Sequence, residues 1–114
     1  YEARLWRMRT DEIAEEMVRD LTEGIDGTDV RAGIIGEIGA HFNWLSAIEE
    51  RVLRAAARAQ LKTGVGLTTH ATRGPQGLEQ LDVLQQEGVD PRCLGGAGIH
   101  PQRCALCRHA APRM

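Results

Sequence analysis

Two short apolar runs, AGIIGEIG at 32–39 and VGLTTH at 65–70, are joined by a single amphipathic helix, and this arrangement constrains the fold most. Each run is edged by glycine and too short for a buried helix, which is how a strand covered on both faces reads. Between them, Ser46 and Glu49 have the spacing of a capping box, the serine taking the Glu49 amide while the glutamate reaches back. Ile48, Val52, Leu53, Ala56 and Ala59 then line one helical face, and Gly64 supplies the stop. Strand, helix and strand in succession imply parallel strands linked by a crossover.

The pattern continues on both sides. Thr10 is placed to cap a helix, with Asp11 and Glu12 in a first turn whose dipole favours anions. Ile13, Met17, Val18 and Leu21 recur at helical spacing up to Gly24, and GIDGTD at 24–29 reads as a turn-rich linker. Downstream, Pro75 suits a first helical turn, and Leu78, Leu81 and Leu84 mark a third helix closing at Gly88. Asp90-Pro91 should introduce a third strand. The resulting class is α/β, with strands and helices alternating.

Composition removes several functions. A net charge of -2 gives no basic footprint for nucleic acid and no polybasic patch for a membrane surface. No apolar run approaches the ~20 residues of a membrane span. A hydrophobic fraction of 42% beside 26% charged residues is that of an ordinary globular domain. All three cysteines, Cys93, Cys104 and Cys107, fall in the last 22 residues. An odd, clustered count argues against a disulfide framework and makes a reducing cytoplasm the default.

Glu37 interrupts a strand otherwise made of Ile and Gly, where an ionised carboxylate is costly unless paired or bound to a cation. His70 closes the next run, 33 positions later, about one βαβ unit. Parallel strands bring both to the carboxyl edge of the sheet, where barrels and open α/β sheets carry their chemistry. Carboxylate and neutral imidazole are ligands for a cation such as Zn²⁺. The residues alone leave a plainer alternative open, in which Glu37 pairs with a Lys or Arg and His70 bonds a neighbouring loop. Two donors also fall short of the three or four that zinc takes from a protein.

The stretch AGIIGEIGAHFNWLSAIEERVLRAAARAQLKTGVGLTTHATRGPQGLEQLDVLQQEGVDP resembles the middle of phosphotriesterase-family proteins, which are (β/α)₈ barrels of the amidohydrolase superfamily. The resemblance runs from about Thr10 to Pro91. Its specific pieces are GIIGEIG, the AIEERVLRAAARAQ helix ending in TG, the strand end TTH, and GLEQLDVLQQEGVDP, in that order. It implies a partial TIM barrel: strands four and five with their helices, strand six degraded, about a third of the whole. It also implies a hydrolase of ester-type bonds, phosphotriester or lactone, in a small-molecule substrate. The complete enzyme would act through a hydroxide bridged by two zinc ions. Another amidohydrolase substrate class is the runner-up. Glu37 matches the bridging ligand of strand four, and His70 the histidine ligand of strand five. The well-known phosphotriesterases carry a carboxylated lysine at the bridge, so a glutamate resembles the phosphotriesterase-related and homology proteins instead.

By the same resemblance a His-x-His pair belongs on strand one and an aspartate on strand eight, and neither is in this chain. The chain, which opens YEARLWRMRT without an initiator Met, is therefore expected to be an internal fragment, inactive alone. A further ligand belongs at the end of strand six as Gly-His. Here that role falls to His100, ten residues after Asp90 and preceded by Ile99. From Cys93 onward the composition turns to Cys, Arg, Pro, His and Gly with little periodicity. Residues 1–92 are accordingly read as the partial barrel and 93–114 as an atypical tail, disordered or read from a shifted frame. In that tail His100, Cys104, Cys107 and His109 offer a competing structural zinc site, cramped by the two-residue step from Cys107 to His109. A non-catalytic remnant held by a partner chain at its unpaired strand edges is the alternative to the hydrolase. Trp6 and Trp44 read as loop or interface packing, and His41 and Arg73 as loop residues near the same edge.

Overall fold

The computed structural model describes the backbone of residues 3–40, 45–71 and 74–95, and their side chains except those of 37, 39, 40, 71, 74–77 and 95. The central helix, α2 (Ala47–Thr63), begins where the capping box placed it. Ser46 Oγ accepts from the Glu49 amide at 3.3 Å, and Glu49 Oε1 accepts from the Ser46 amide at 3.0 Å. Its end is fixed by Gly64 in a left-handed conformation, φ 70°, with its amide donating to Gln60 O at 2.7 Å. The five apolar residues read as its inner face are all buried, joined by Ala55 and Ala57.

Three parallel strands form one sheet in the order β1 (Ile35–Ala40), β2 (Leu67–Ala71), β3 (Leu94–Gly95). The α/β expectation holds, with α2 linking β1 to β2 and α3 (Gly74–Glu87) linking β2 to β3. The third strand exists as two residues, pairing Leu67 with Leu94 and Thr68 with Gly95. β1 starts later than the apolar run suggested, because Ala32 is drawn away to donate its amide to Asp20 O at 2.8 Å. Leu53, Leu67, Leu84 and Cys93, fully buried, form the centre between sheet and helices. Burying an aliphatic side chain of this size contributes roughly 1.5–3 kcal/mol.

The register of β1 against β2 contains one irregularity. Ile35 pairs with Leu67 and Ile38 with Thr69, so three steps on β1 answer two on β2. The surplus lies at Gly36, whose φ of 129° is open to glycine and strained for any other residue. A β-bulge of this kind reverses which residues face which side of the sheet. Ile35 and Ile38 both pack on the helix side, although three apart.

Several local expectations need correction. α1 (Thr10–Thr22) takes Arg9, not Thr10, as its N-cap, and Glu12 Oε1 accepts the Arg9 amide at 3.1 Å. On α3 the Leu78–Leu81–Leu84 stripe does not face inward as a unit. Leu78 is 68% exposed, while Gln80, Val83 and Leu84 are buried. Cys93, read as the start of the tail, is buried and disulfide-bonded. Among the described residues no helix is long and apolar enough to cross a membrane.

Polar contacts tie the helices together from outside. Arg58 on α2 donates to Asp11 Oδ1 on α1 at 2.6 Å and to Glu87 Oε1 on α3 at 3.2 Å. Such partly exposed pairs contribute at most about 1 kcal/mol each. Asp90 caps the turn before β3, accepting the Arg92 amide at 2.9 Å. Hydrogen bonds from the Arg92 side chain, and then from its amide, hold the Asp90 carboxyl well below the usual aspartate range, at about 2.

Two outcomes follow. A Cβ at Gly36 would sit 2.6 Å from the Thr68 carbonyl oxygen and closer still to the Thr68 hydroxyl. Gly36→Ala is therefore expected to cost roughly 2 kcal/mol or more, read as a lowered denaturant midpoint. Because the Asp90 pKa is depressed in the fold, its contribution is complete above the ordinary aspartate pKa and is lost as pH falls through about 2. An NMR titration should place its midpoint there, and Arg92→Ala should move it back up.

Candidate functional site

The bulge determines where the sequence-predicted ligands stand. Counting back from Ile38, which packs on the helix side, strand alternation assigns position 37 to the opposite face. Leu67 is buried against the helices and Thr69 pairs with Ile38, so Thr68 and His70 belong to that same opposite face. Without the extra residue, Glu37 would share the parity of Ile35 and point at the apolar layer. His70 is exposed and opposite Gly39, two residues beyond Glu37 on the neighbouring strand. With strands ~4.8 Å apart and ~3.3 Å of rise per residue, the two Cα atoms are roughly 8 Å apart. Side chains of this length can reach a common cation from such positions.

His70 lies toward the carboxyl end of β2, whereas position 37 is the third of six residues in β1 and so stands short of the strand end that the sequence suggested. Two neighbouring residues of α3 bond the backbone nearby. Gln80 Nε2 donates to the main-chain carbonyl of His70 at 3.0 Å. Glu79 Oε2 accepts the Leu45 amide at 2.9 Å, catching the segment that runs from β1 into α2. Gln80 is 3% exposed, and an amide buried so deeply is unfavourable unless bonded. The sequence reading missed both residues because it looked for leucines on α3. The available signal was a Glu-Gln pair inside a helix whose inner face should be apolar.

Two clefts among the described residues lie elsewhere. One, of about 770 Å³, is bordered by Arg4, Glu16, Arg19, Asp20, Asp26 and Thr28 around the end of α1. Its charges are partly matched, as Arg4 and Glu16 form a two-pronged ion pair that lowers the Glu16 carboxyl. A second, apolar cleft of about 250 Å³ lies between Met17 and Leu21 of α1 and Ile34, Ile35 and Ile38 beside β1. It is on the side of β1 away from β2. Neither contains the expected ligands.

Strand alternation thus assigns position 37 and His70 to one face of one sheet, the Glu37 side chain itself lying outside the described residues. His100 lies outside the described residues, as do His41, Trp44, Arg73, Cys104, Cys107 and His109. Among the described residues no three His, Cys, Asp or Glu side chains come together as a metal group. A carboxylate and an imidazole on adjacent parallel strands fit a divalent cation chemically, as part of a ligand set that needs further members. Trp6, read as packing, is 58% exposed on a 3-10 turn.

Comparison with known proteins covers most of the chain. The sequence profile of the phosphotriesterase family matches residues 3–94. The chain is 48% identical over 79 residues to the phosphotriesterase homology protein of Escherichia coli, covering 69% of this chain and 27% of that protein. It is 36% identical over 85 residues to an N-acetyltaurine hydrolase of Tetraodon nigroviridis, covering 74% of this chain and 24% of that one. The chain therefore spans about a quarter of the length of these relatives. The crystal structure of the E. coli homology protein, with phosphate in its active site, superposes with a TM-score of 0.78 at 40% identity. That match covers 82% of this chain and 32% of the other. A lactonase from Listeria monocytogenes superposes at 0.73 and 31% identity, over 79% of this chain and 27% of that one. These neighbours are TIM barrels, and the helix and strand order here is that of a part of such a barrel. The family is one of metal-dependent hydrolases acting on small-molecule esters. With the family profile running from the first 3-10 turn to β3, the chain belongs to the phosphotriesterase family.

Proposed function

We propose that the chain is the part of a metal-dependent hydrolase that contributes Glu37 and His70 to a divalent metal centre, zinc by its donor chemistry. The substrate class is an ester-type bond, a phosphotriester or a lactone. The observation that carries this is the parity shift at Gly36, which puts position 37 on the same sheet face as His70. A carboxylate has two oxygens and suits the position between two cations, whereas one imidazole nitrogen holds a single ion. His100 is the third candidate ligand. When bound, such cations activate water near neutral pH and polarise the oxygen of the bond under attack.

Glu37 has a role in this reading that requires no modification, since its carboxylate is present as encoded. It orients the ions and screens their mutual repulsion. With metal bound, Glu37 and His70 would serve as its ligands, and the base taking a proton from water would be another residue. The part that carries this function runs past residue 92, since Cys93 is buried in its core and Leu94–Gly95 forms β3, so the division expected between residues 1–92 and 93–114 does not fall there. The lactonase among the structural neighbours supports attack at a carbonyl carbon. The relative named for N-acetyltaurine favours amide hydrolysis as a second reading, which would use the same two ligands.

Isothermal titration calorimetry with Zn²⁺ tests the ligand pair directly. The purified 114-residue chain should bind Zn²⁺ weakly, and Glu37→Ala and His70→Ala should each abolish that binding. Binding indifferent to both substitutions would overturn the assignment. The chain alone should leave paraoxon-like esters and lactones intact, because two ligands do not complete a zinc shell. Zinc-dependent turnover lost in both variants would refute that expectation.

A further inference from the structure

We propose that Glu79 and Gln80 are positioning residues that set the geometry between Glu37 and His70 through the backbone, by tying the end of β2 and Leu45, just ahead of the α2 cap, to one helix. This rests on the reading of Glu37 and His70 as metal ligands. The two contacts are different in kind. Gln80 is a donor to the His70 carbonyl, 3.0 Å away, at the end of β2. Glu79 is an acceptor for the Leu45 amide, 2.9 Å away, on the segment leaving β1. Neighbouring residues on a helix point about 100° apart, which lets one turn of α3 serve two strands.

Neither contact is explained by the needs of α3 itself. Gln80 is buried beside Val83 and Leu84, yet its amide is spent on the main chain of another element. That bond adds a fixed point at the His70 carbonyl to the pairing of His70 with Gly39 on β1. A metal ligand displaced by even a fraction of an ångström loses affinity, so groups that hold a ligand in place affect binding about 10-fold to 100-fold without touching the metal.

The chemistry predicts an asymmetry between the two positions. Glu79→Gln keeps an oxygen acceptor, whereas Glu79→Leu does not. Gln80→Glu, ionised at neutral pH, loses its donor and faces the His70 carbonyl with negative charge. Gln80→Met keeps the volume and loses the donor. The probe is Zn²⁺ added to the whole chain, with hydrogen exchange at the Leu45 amide and the Thr69, His70 and Ala71 amide shifts measured beside it.

Gln80→Met should weaken Zn²⁺ binding about tenfold and shift the amides at the end of β2, with the melting temperature little changed. Glu79→Leu should speed Leu45 exchange about fivefold, and Glu79→Gln should restore it. Zn²⁺ affinity unchanged in Gln80→Met while His70→Ala abolishes binding would overturn the clamp and leave the ligand reading intact. If the wild-type chain binds no Zn²⁺, the ligand reading fails. The amide measurements then decide alone: unchanged β2 shifts in Gln80→Met, or unchanged Leu45 exchange in Glu79→Leu, overturn the clamp.

Discussion

The packing of α2 is the constraint on which the rest depends. Ala55, Ala56, Ala57 and Ala59 are all 0% exposed, so α2 meets neighbours around most of its circumference. Alanine permits that because its side chain ends at Cβ, letting α1, β1, β2 and α3 approach one helix at once. A larger residue at any of these positions would have to displace an element and not merely a side chain. The wide inner surface also explains why a helix rich in arginine and glutamate is central: its charges are confined to one flank, where Arg54 and Arg58 meet Glu50, Glu87 and Asp11.

What the sequence revealed depended on whether the signal was local. The capping box at Ser46, the stops at Gly64 and Gly88, and the alternation of strand and helix are short-range patterns, and each appears in the fold. The orientation of α3 was not readable this way. Leucine spacing identified a helix but not its buried side, because in a barrel-type layer a helix faces both the sheet and an adjacent helix, and those contacts are tertiary. Gln80 replaced the expected leucine for the same reason, its partner being ten residues away on β2. The start of α1 at Arg9 was missed because Glu12 bonds the Arg9 amide, a reciprocal contact that a search for hydroxyl caps passes over.

The candidate site was legible as two residues and one spacing, and the structure adds the reason that the spacing works. Alternation in an ideal strand would have sent Glu37 into the apolar layer. Nothing in the string GIIGEIG states that its second glycine breaks the alternation, since any of the three could sit in ordinary extended backbone. Only pairing against Thr68 and Thr69 reveals it. The ligand roles themselves come from the resemblance to a family, and the alternation at Gly36 is compatible with them.

The same irregularity has a consequence for the outer side of β1, which has no partner strand among the described residues. An open strand edge is a template on which another extended chain can hydrogen-bond, and a straight, evenly spaced edge invites it. The bulge breaks that spacing in the middle of the strand and increases its local twist, so a second copy could match one half of β1 or the other but not both. The glycine that shifts the strand's alternation therefore also makes this edge a poor template for ribbons of the chain with itself.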